Sequence, residues 1–368
     1  MVRKLGTEGK RMAIGAGLIA RGLLLATGVA AAARLVHHLL PVTAGKMVSD
    51  ILIAILLGLF IRNVIGLSPG YDAGVKFAVV RVLRLGIVLL GLRLSLQDIA
   101  ATGGAAMLLV VVCITIALVT AYAVGRLFQI PPRLAALIGV GTSICGNTAI
   151  VATAPAIGAK EEEVSFAVAV ITLFGLIAVV TYPIIGQALG FSNTAFGLWA
   201  GTAVNDTSQV VAVGAAHSSE ALGVATVVKL MRNTIMAPLI IVMGLFLRQR
   251  GSSDPASPRS VVPRGGILIP WFVIGFLTLS LVRTSGISAG ILPRDVGRPG
   301  DLQTAASVLN AFDVLARFAI LTALAGVGLG TRLQSIFRIG LRPFVLGLCV
   351  SMVLAAASLG LIVVFSMG

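Results

Sequence analysis

The sequence predicts an all-α polytopic membrane protein of about eleven transmembrane helices, with two discontinuous segments and an inverted repeat. Three observations lead there. First, 58% of the 368 residues are apolar and only 11% are charged, with a mean hydropathy of +1.06, which no ordinary soluble domain matches. Second, apolar stretches long enough to cross a hydrocarbon core recur along the whole chain, and no polar block between them is large enough to fold alone. The chain therefore reads as a single transmembrane domain spanning 1–368. Third, Lys and Arg fall mainly in the short connections between those stretches, as the positive-inside rule expects.

The net charge of +15 and pI near 11.1 would point to nucleic acid in a soluble protein. Here no basic run is interleaved with aromatics for base stacking, so that partner is excluded. Cys113, Cys145 and Cys349 lie inside apolar stretches without metal-type spacing, and no disulfide framework is expected. The basic segment Met1 to Met12 precedes no convincing cleavage site and reads as retained.

The apolar segments run 22–40, 47–66, 74–92, 105–127, 134–157, 164–189, 196–216, 222–247, 266–283, 306–330 and 343–366. With the N-terminus in the cytoplasm, eighteen Lys and Arg residues fall inside and seven outside, and Lys229, Arg232 and Arg317 remain within spans. The stretch 249–265, rich in Ser, Pro, Gly and Arg, reads as a cytoplasmic linker. Segment 91–99, GLRLSLQDI, is similar to 328–336, GLGTRLQSI, and the helices concerned run in opposite directions, as an inverted repeat requires.

A second likeness joins GTSICGNTAIVA at 141–152 to GTAVNDTSQVVA at 201–212. Both are polar breaks in apolar spans. The first holds Gly141, Thr142, Ser143, Gly146, Asn147 and Thr148; the second holds Gly201, Thr202, Asn205, Asp206, Thr207, Ser208 and Gln209. In lipid a helix is interrupted only where protein or a water-filled cavity satisfies the freed backbone groups, and broken helices aim their dipoles at a site near the membrane middle. Close packing through small residues would explain one such cluster. Two clusters with Asn147, Asn205, Asp206 and Gln209 point to a substrate or ion site.

Lys229 and Arg232, three residues apart on one face of the eighth span, either neutralise a bound anion or pair with Asp206. Asp313 and Arg317, at i and i+4, form an intrahelical pair. Glu161, Glu162 and Glu163 open the sixth helix at an outer loop, and Asp50 caps a helix at the interface. His37 and His38 are adjacent, His217 lies far along the chain from them, and none has a carboxylate or cysteine ligand pattern, so no metal is expected. The chain has no H-E-x-x-H helix and no phosphate-binding loop, and enzyme chemistry has no specific support.

Taken in order, LRLGIVLLGLRLSL at 83–96, GTSICGNTAIVATAPAIGAKEEE at 141–163, GLWAGTAVNDTSQVVAVG at 197–214 and ATVVKLMRN at 225–233 resemble the bacterial YeiH-like family, usually labelled sulfate exporters. The resemblance covers the chain from about Gly22 onward. It implies an inner-membrane secondary transporter and, more distantly, a fold akin to the cation:proton antiporter and bile-acid symporter superfamily, in which a core with broken helices moves against a scaffold. Where many relatives are expected to carry small residues after Gly146, this chain has Asn147 and Thr148.

The expectation is a carrier of a small anion such as sulfate or a sulfonate, without a cofactor, coupled to a proton or sodium ion. Thr142, Ser143, Gly146, Asn147, Thr148 and Asn205 to Gln209 would line its site, with Asp206 taking the coupling ion and Lys229 and Arg232 supplying positive potential. A cation/proton antiporter is the first alternative, and an intramembrane enzyme or non-transporting receptor the second. The expected surroundings are the lipid bilayer of a bacterial inner membrane and, as an assembly to test, a homodimer.

Overall fold

In the computed structural model, residues 2–40, 49–92, 96–248, 271–292, 303–332, 334 and 340–365 are described. Among them all regular structure is helical. Six helices are long and apolar enough to cross a membrane: Gly17–Leu39, Ala106–Leu127, Glu161–Ala188, Trp271–Ser288, Ser307–Gly330 and Leu341–Val364. A seventh candidate is a pair bent by 43°, Ser219–Thr234 with Pro238–Leu245. The linker at 249–265 and parts of both segments of the 91–99 and 328–336 likeness lie outside the described residues.

Two compact units are present, one from Met1–Leu96 and Gly275–Leu333, the other from Gln97–Ile274 and Gln334–Gly368. The first contains α1 (Val2–Leu39), α2 (Asp50–Phe60), α3 (Asp72–Phe77), α4 (Leu83–Leu90), most of α13 (Trp271–Ser288) and α14 (Gln303–Gly330). Ser49 caps α2 by accepting from Leu52 N at 3.2 Å, and Asp50 occupies its first turn. Helices approach closely through small residues: a Cβ on Gly58 would lie 2.6 Å from Ala325 O, and one on Gly22 2.7 Å from the Gly74 Cα. At one end, Asp72 accepts from Arg62 at 2.7 Å and from Arg332 at 3.1 Å, tying the end of α14 to the α2–α3 connection. Arg317 Nε donates to Asp313 at 2.8 Å along α14, which is the intrahelical pair expected from the spacing.

The second unit contains nearly all of α5 (Leu96–Leu127), then α6 (Pro132–Ser143), α7 (Asn147–Ile157), α8 (Glu161–Ala188), α9 (Asn193–Ala203), α10 (Thr207–His217), α11 (Ser219–Thr234), α12 (Met236–Arg248) and α15 (Leu341–Val364). Its outward faces are apolar, with Leu108, Val119, Met352 and Val363 exposed, as expected of surfaces that face lipid. Trp199 Nε1 donates to Ala355 O at 3.0 Å, and the Thr202 and Ser358 hydroxyls meet at 2.5 Å, joining α9 to α15.

Here the reading of 134–157 and 196–216 as crossing spans needs correction. Were α6 and α7 roughly collinear, Arg133 and Gly158 would stand roughly 38 Å apart at the helical rise. Instead the Arg133 guanidinium lies 3.9 Å from where a Cβ on Gly158 would be. The chain doubles back. In α9 and α10 the Phe196 and His217 rings stack at 4.0 Å, and Asn193 donates to Glu220 at 2.9 Å, so those two helices also return to their starting end. Each pair is a helical hairpin, called A (α6–α7) and B (α9–α10) below.

The hairpins also revise the side on which one loop lies. Gly158 neighbours Arg133, and a Cβ on Gly244 of α12 would lie 3.4 Å from Ala156 O. Lys160 and Glu161–Glu163 therefore belong to the same end of the unit as Arg133 and Arg248, not the opposite one. In a variant without native cysteines, Lys160→Cys is expected to share the reagent accessibility of Arg133→Cys. Labelling of Lys160→Cys alone by an impermeant reagent on intact cells would restore a crossing span.

Candidate functional site at the hairpin tips

α8 sets the spacing. Its 28 residues extend about 42 Å, and the connections at its two ends lead to the open ends of hairpins A and B. The limbs have 12 and 11 residues in hairpin A and 11 each in hairpin B, so each reaches about 17 Å inward. The tips consequently meet beside the middle of α8. Asn205 Nδ2 reaches Ile171 O, and Asn147 Nδ2 reaches the Thr172 hydroxyl, each at 3.5 Å.

The tips differ in how they reverse direction. In A, Ile144 (φ −120°, ψ −93°) and Gly146 (φ 66°, ψ −125°) make the bend, and the positive φ at 146 suits glycine alone at low cost. In B, Val204 and Asp206 are extended, and Asp206 caps α10. Its Oδ1 accepts from Ser208 N at 3.0 Å and from Ser208 Oγ at 2.8 Å, while Gln209 Oε1 accepts from Asp206 N at 3.0 Å. This reciprocal arrangement is a capping box. Gly146 brings the tips together, since a Cβ there would lie 3.1 Å from Asp206 Oδ2.

α6 and α9 both end at the tips, so the negative ends of two helix dipoles converge in the interior. Lys229 and Arg232 of α11 answer them. Lys229 Nζ donates to Ile144 O at 2.5 Å, to Val204 O at 3.1 Å and to Asn205 O. Arg232 donates through Nε to Ser143 O at 2.9 Å, through Nη1 to Gly201 O at 2.8 Å and Val204 O at 3.0 Å, and through Nη2 to Thr142 O at 2.7 Å. Both side chains are almost fully buried, 0% and 1% exposed.

This removes one of the two alternatives for the cations. Asp206 and Lys229 form no ion pair among the described residues, because the ammonium is occupied by carbonyls and the carboxylate by the first turn of α10. Nor do Lys229 and Arg232 offer free donors in quantity to a ligand. They act as joint C-terminal caps for both hairpins.

The remaining residues sort by contact. Gly146, Asn147, Asn205, Asp206, Ser208 and Gln209 come together at the tips. Thr142 and Ser143 are buried, bond their hydroxyls back to Ile138 O and Val140 O, and contribute only carbonyls. Thr148 is exposed and Thr207 half-buried. Residues that the sequence did not single out are Ile171, Thr172 and Gly175 of α8, and Asn233, whose Oδ1 is buried without a partner, like Oδ1 of Asn147 and of Asn205. A threonine and a glycine in an apolar helix carry no distinctive signal. Buried acceptors without donors mark a place for water or a ligand.

A chain whose described regular structure is all helical, with several membrane-length apolar helices and a polar centre built from hairpin tips, is a polytopic membrane protein. Residues 21–347 match the family described as conserved hypothetical protein 698. The chain is 34% identical over 327 residues to a UPF0324 membrane protein of Fusobacterium nucleatum, covering 86% of this chain and 90% of the relative. It is 35% identical over 324 residues to one of Bacillus anthracis, covering 88% of each, and 36% identical over 330 residues to one of Streptococcus pyogenes, covering 89% and 91%. The chain belongs to the UPF0324 membrane protein family, with which the YeiH-like resemblance agrees.

Proposed function

We propose that this protein is a secondary transporter of a small anion in a bacterial inner membrane, with sulfate or a sulfonate as the leading substrates and export as the direction implied by the family resemblance. The observation that carries the reading is the meeting of two hairpin tips halfway along α8, where α7 and α10 present their N-terminal ends and two buried cations neutralise the C-terminal ends of α6 and α9. Gly146 supplies no side-chain cap, so the first amides of α7 are left for another acceptor.

On this reading the hairpins are re-entrant and enter from opposite faces of the membrane. α7 (147–157) and α10 (207–217) are offset by 60 residues with equal lengths, and α8 (from 161) and α11 (from 219) follow at nearly the same offset. Hairpin A with α8 and hairpin B with α11–α12 then form an inverted repeat, more regular than the one joining 91–99 to 328–336. Nine crossing segments replace eleven, with the N-terminus still cytoplasmic and the C-terminus outside. Lys160 moves to the cytoplasmic set, and the basic bias sharpens from eighteen against seven to nineteen against six.

A second reading has its own support. Asp206 with the unpartnered Oδ1 atoms of Asn147 and Asn205 offers oxygen acceptors suited to a cation, which a cation/proton antiporter would use. Purified protein in sealed liposomes separates the two. Radiolabelled sulfate or taurine is expected to accumulate under an imposed proton or sodium gradient; movement of sodium against protons, with no anion flux, would favour the antiporter, and no solute movement at all would remove the transporter reading.

A further inference from the structure

The interior of the second unit holds unequal charges. Three carbonyl oxygens surround Lys229 Nζ, and they require three N–H groups, which an ammonium has and a neutral amine lacks. Lys229 and Arg232 are thus both cationic. Lys229 of α11 and the Cys145 thiol in the tip of hairpin A lie close to Asp206, Arg232 lies beside both Lys229 and Cys145, and the middle of α8 brings Ile171, Thr172 and Gly175 to the tips. The helix ends balance among themselves, two C-termini against two N-termini. Two cations against one carboxylate leave a surplus of one positive charge, carried by side chains that are 0% and 1% exposed, where an uncompensated charge is costly.

A singly charged anion cancels that surplus. A doubly charged one does so only if Asp206 is neutral. The carboxylate is arranged for that change: Oδ1 holds both donors from Ser208, whereas Oδ2 takes no hydrogen bond from a described residue and faces Gly146 in the opposite tip. The next residue back, Asn205, is 2% exposed and its Oδ1 lacks a donor. A proton on Oδ2 would leave the cap on α10 intact, because Oδ1 alone makes it.

We infer that the site binds a dianion together with one proton on Asp206, and a monoanion without that proton. The inference rests on the anion-transporter reading above and fixes its coupling. Sulfate binding would draw a proton from solution onto Oδ2, and release of sulfate on the other side would return it, which links the two gradients without a further ion.

Calorimetric titration of the purified protein with sulfate and with nitrate, in buffers of different ionisation enthalpy, counts the protons taken up. About one per sulfate and none per nitrate is expected, and the sulfate Kd should rise tenfold per pH unit once Asp206 is ionised in the free protein. Asp206→Asn, which keeps a good N-cap, should bind sulfate with no proton uptake and with a Kd independent of pH. Asp206→Ser serves the same purpose if the asparagine variant fails to fold, as judged by melting temperature. Sulfate binding to the wild type without proton uptake, sodium-dependent binding without it, or uptake that persists in the variants would each overturn the inference alone. Binding of neither anion to the folded wild type would overturn the anion reading as well.

Discussion

Replacing Arg232 with leucine is expected to yield a protein that does not survive purification at 37 °C. Thr142 O, Ser143 O and Gly201 O would lose their donor, while Val204 O keeps Lys229. Each buried acceptor left unsatisfied costs roughly 1–3 kcal/mol, so the loss is on the order of 3–9 kcal/mol, comparable with the entire net stability of a typical domain. Arg232→Lys should fare little better, since one ammonium cannot span the ends of both α6 and α9 as a planar fork does. Thermal melting followed by size-exclusion profile in detergent measures this, and a wild-type melting temperature for Arg232→Leu would show that the carbonyls find other partners.

Gly175→Ala should act on function with far less effect on folding. A Cβ at 175 would sit 1.8 Å from Gln209 Oε1 and 2.2 Å from its Cδ. Gln209 must swing away and give up its bond to Asp206 N. Alanine would favour α8 by about 1 kcal/mol through helix propensity, which offsets part of the roughly 1–3 kcal/mol lost with that bond, so the net loss of stability is small. Flux of labelled sulfate should nevertheless fall by about tenfold or more, and its pH dependence should shift because Asp206 has lost half of its capping box. Gln209→Ala combined with Gly175→Ala removes the clash and isolates the coupling between the two positions. Normal flux with a normal pH profile in Gly175→Ala would separate Gln209 from the mechanism.

Much of this arrangement could be read in the sequence because lipid makes polarity conspicuous. Asn147, Asn205, Asp206 and Gln209 stand out against Val, Ile, Leu and Ala, and so do Lys229 and Arg232. What the sequence did not reveal was the direction of the chain through them. Residues 132–157 amount to one membrane-length apolar segment whether they run straight across or fold into two limbs of half that length, and hydropathy is the same for both. The partners of Lys229 and Arg232 were hidden for another reason. They are backbone carbonyls of Thr142, Ser143, Ile144, Gly201, Val204 and Asn205, and no side-chain letter encodes them, so a pairing with Asp206 was the natural but mistaken alternative. Gly175 was invisible because a glycine in a membrane helix has many other uses, and only the position of Gln209 gives this one its meaning.

The joint capping by α11 also bears on biosynthesis. Hairpin A emerges from the ribosome well before its partner, since Ile144 precedes Lys229 by 85 residues. At about 5–20 residues per second, the tip of hairpin A waits roughly 4–17 s with Thr142, Ser143 and Ile144 carbonyls unmet. During that interval those carbonyls lack the partners that they have in the finished protein. If the hairpins are re-entrant, as proposed above, hairpin A is expected to stay shallow, hydrated or sheltered by the insertion machinery until α11 arrives, and both loops then to sink together as a single late event.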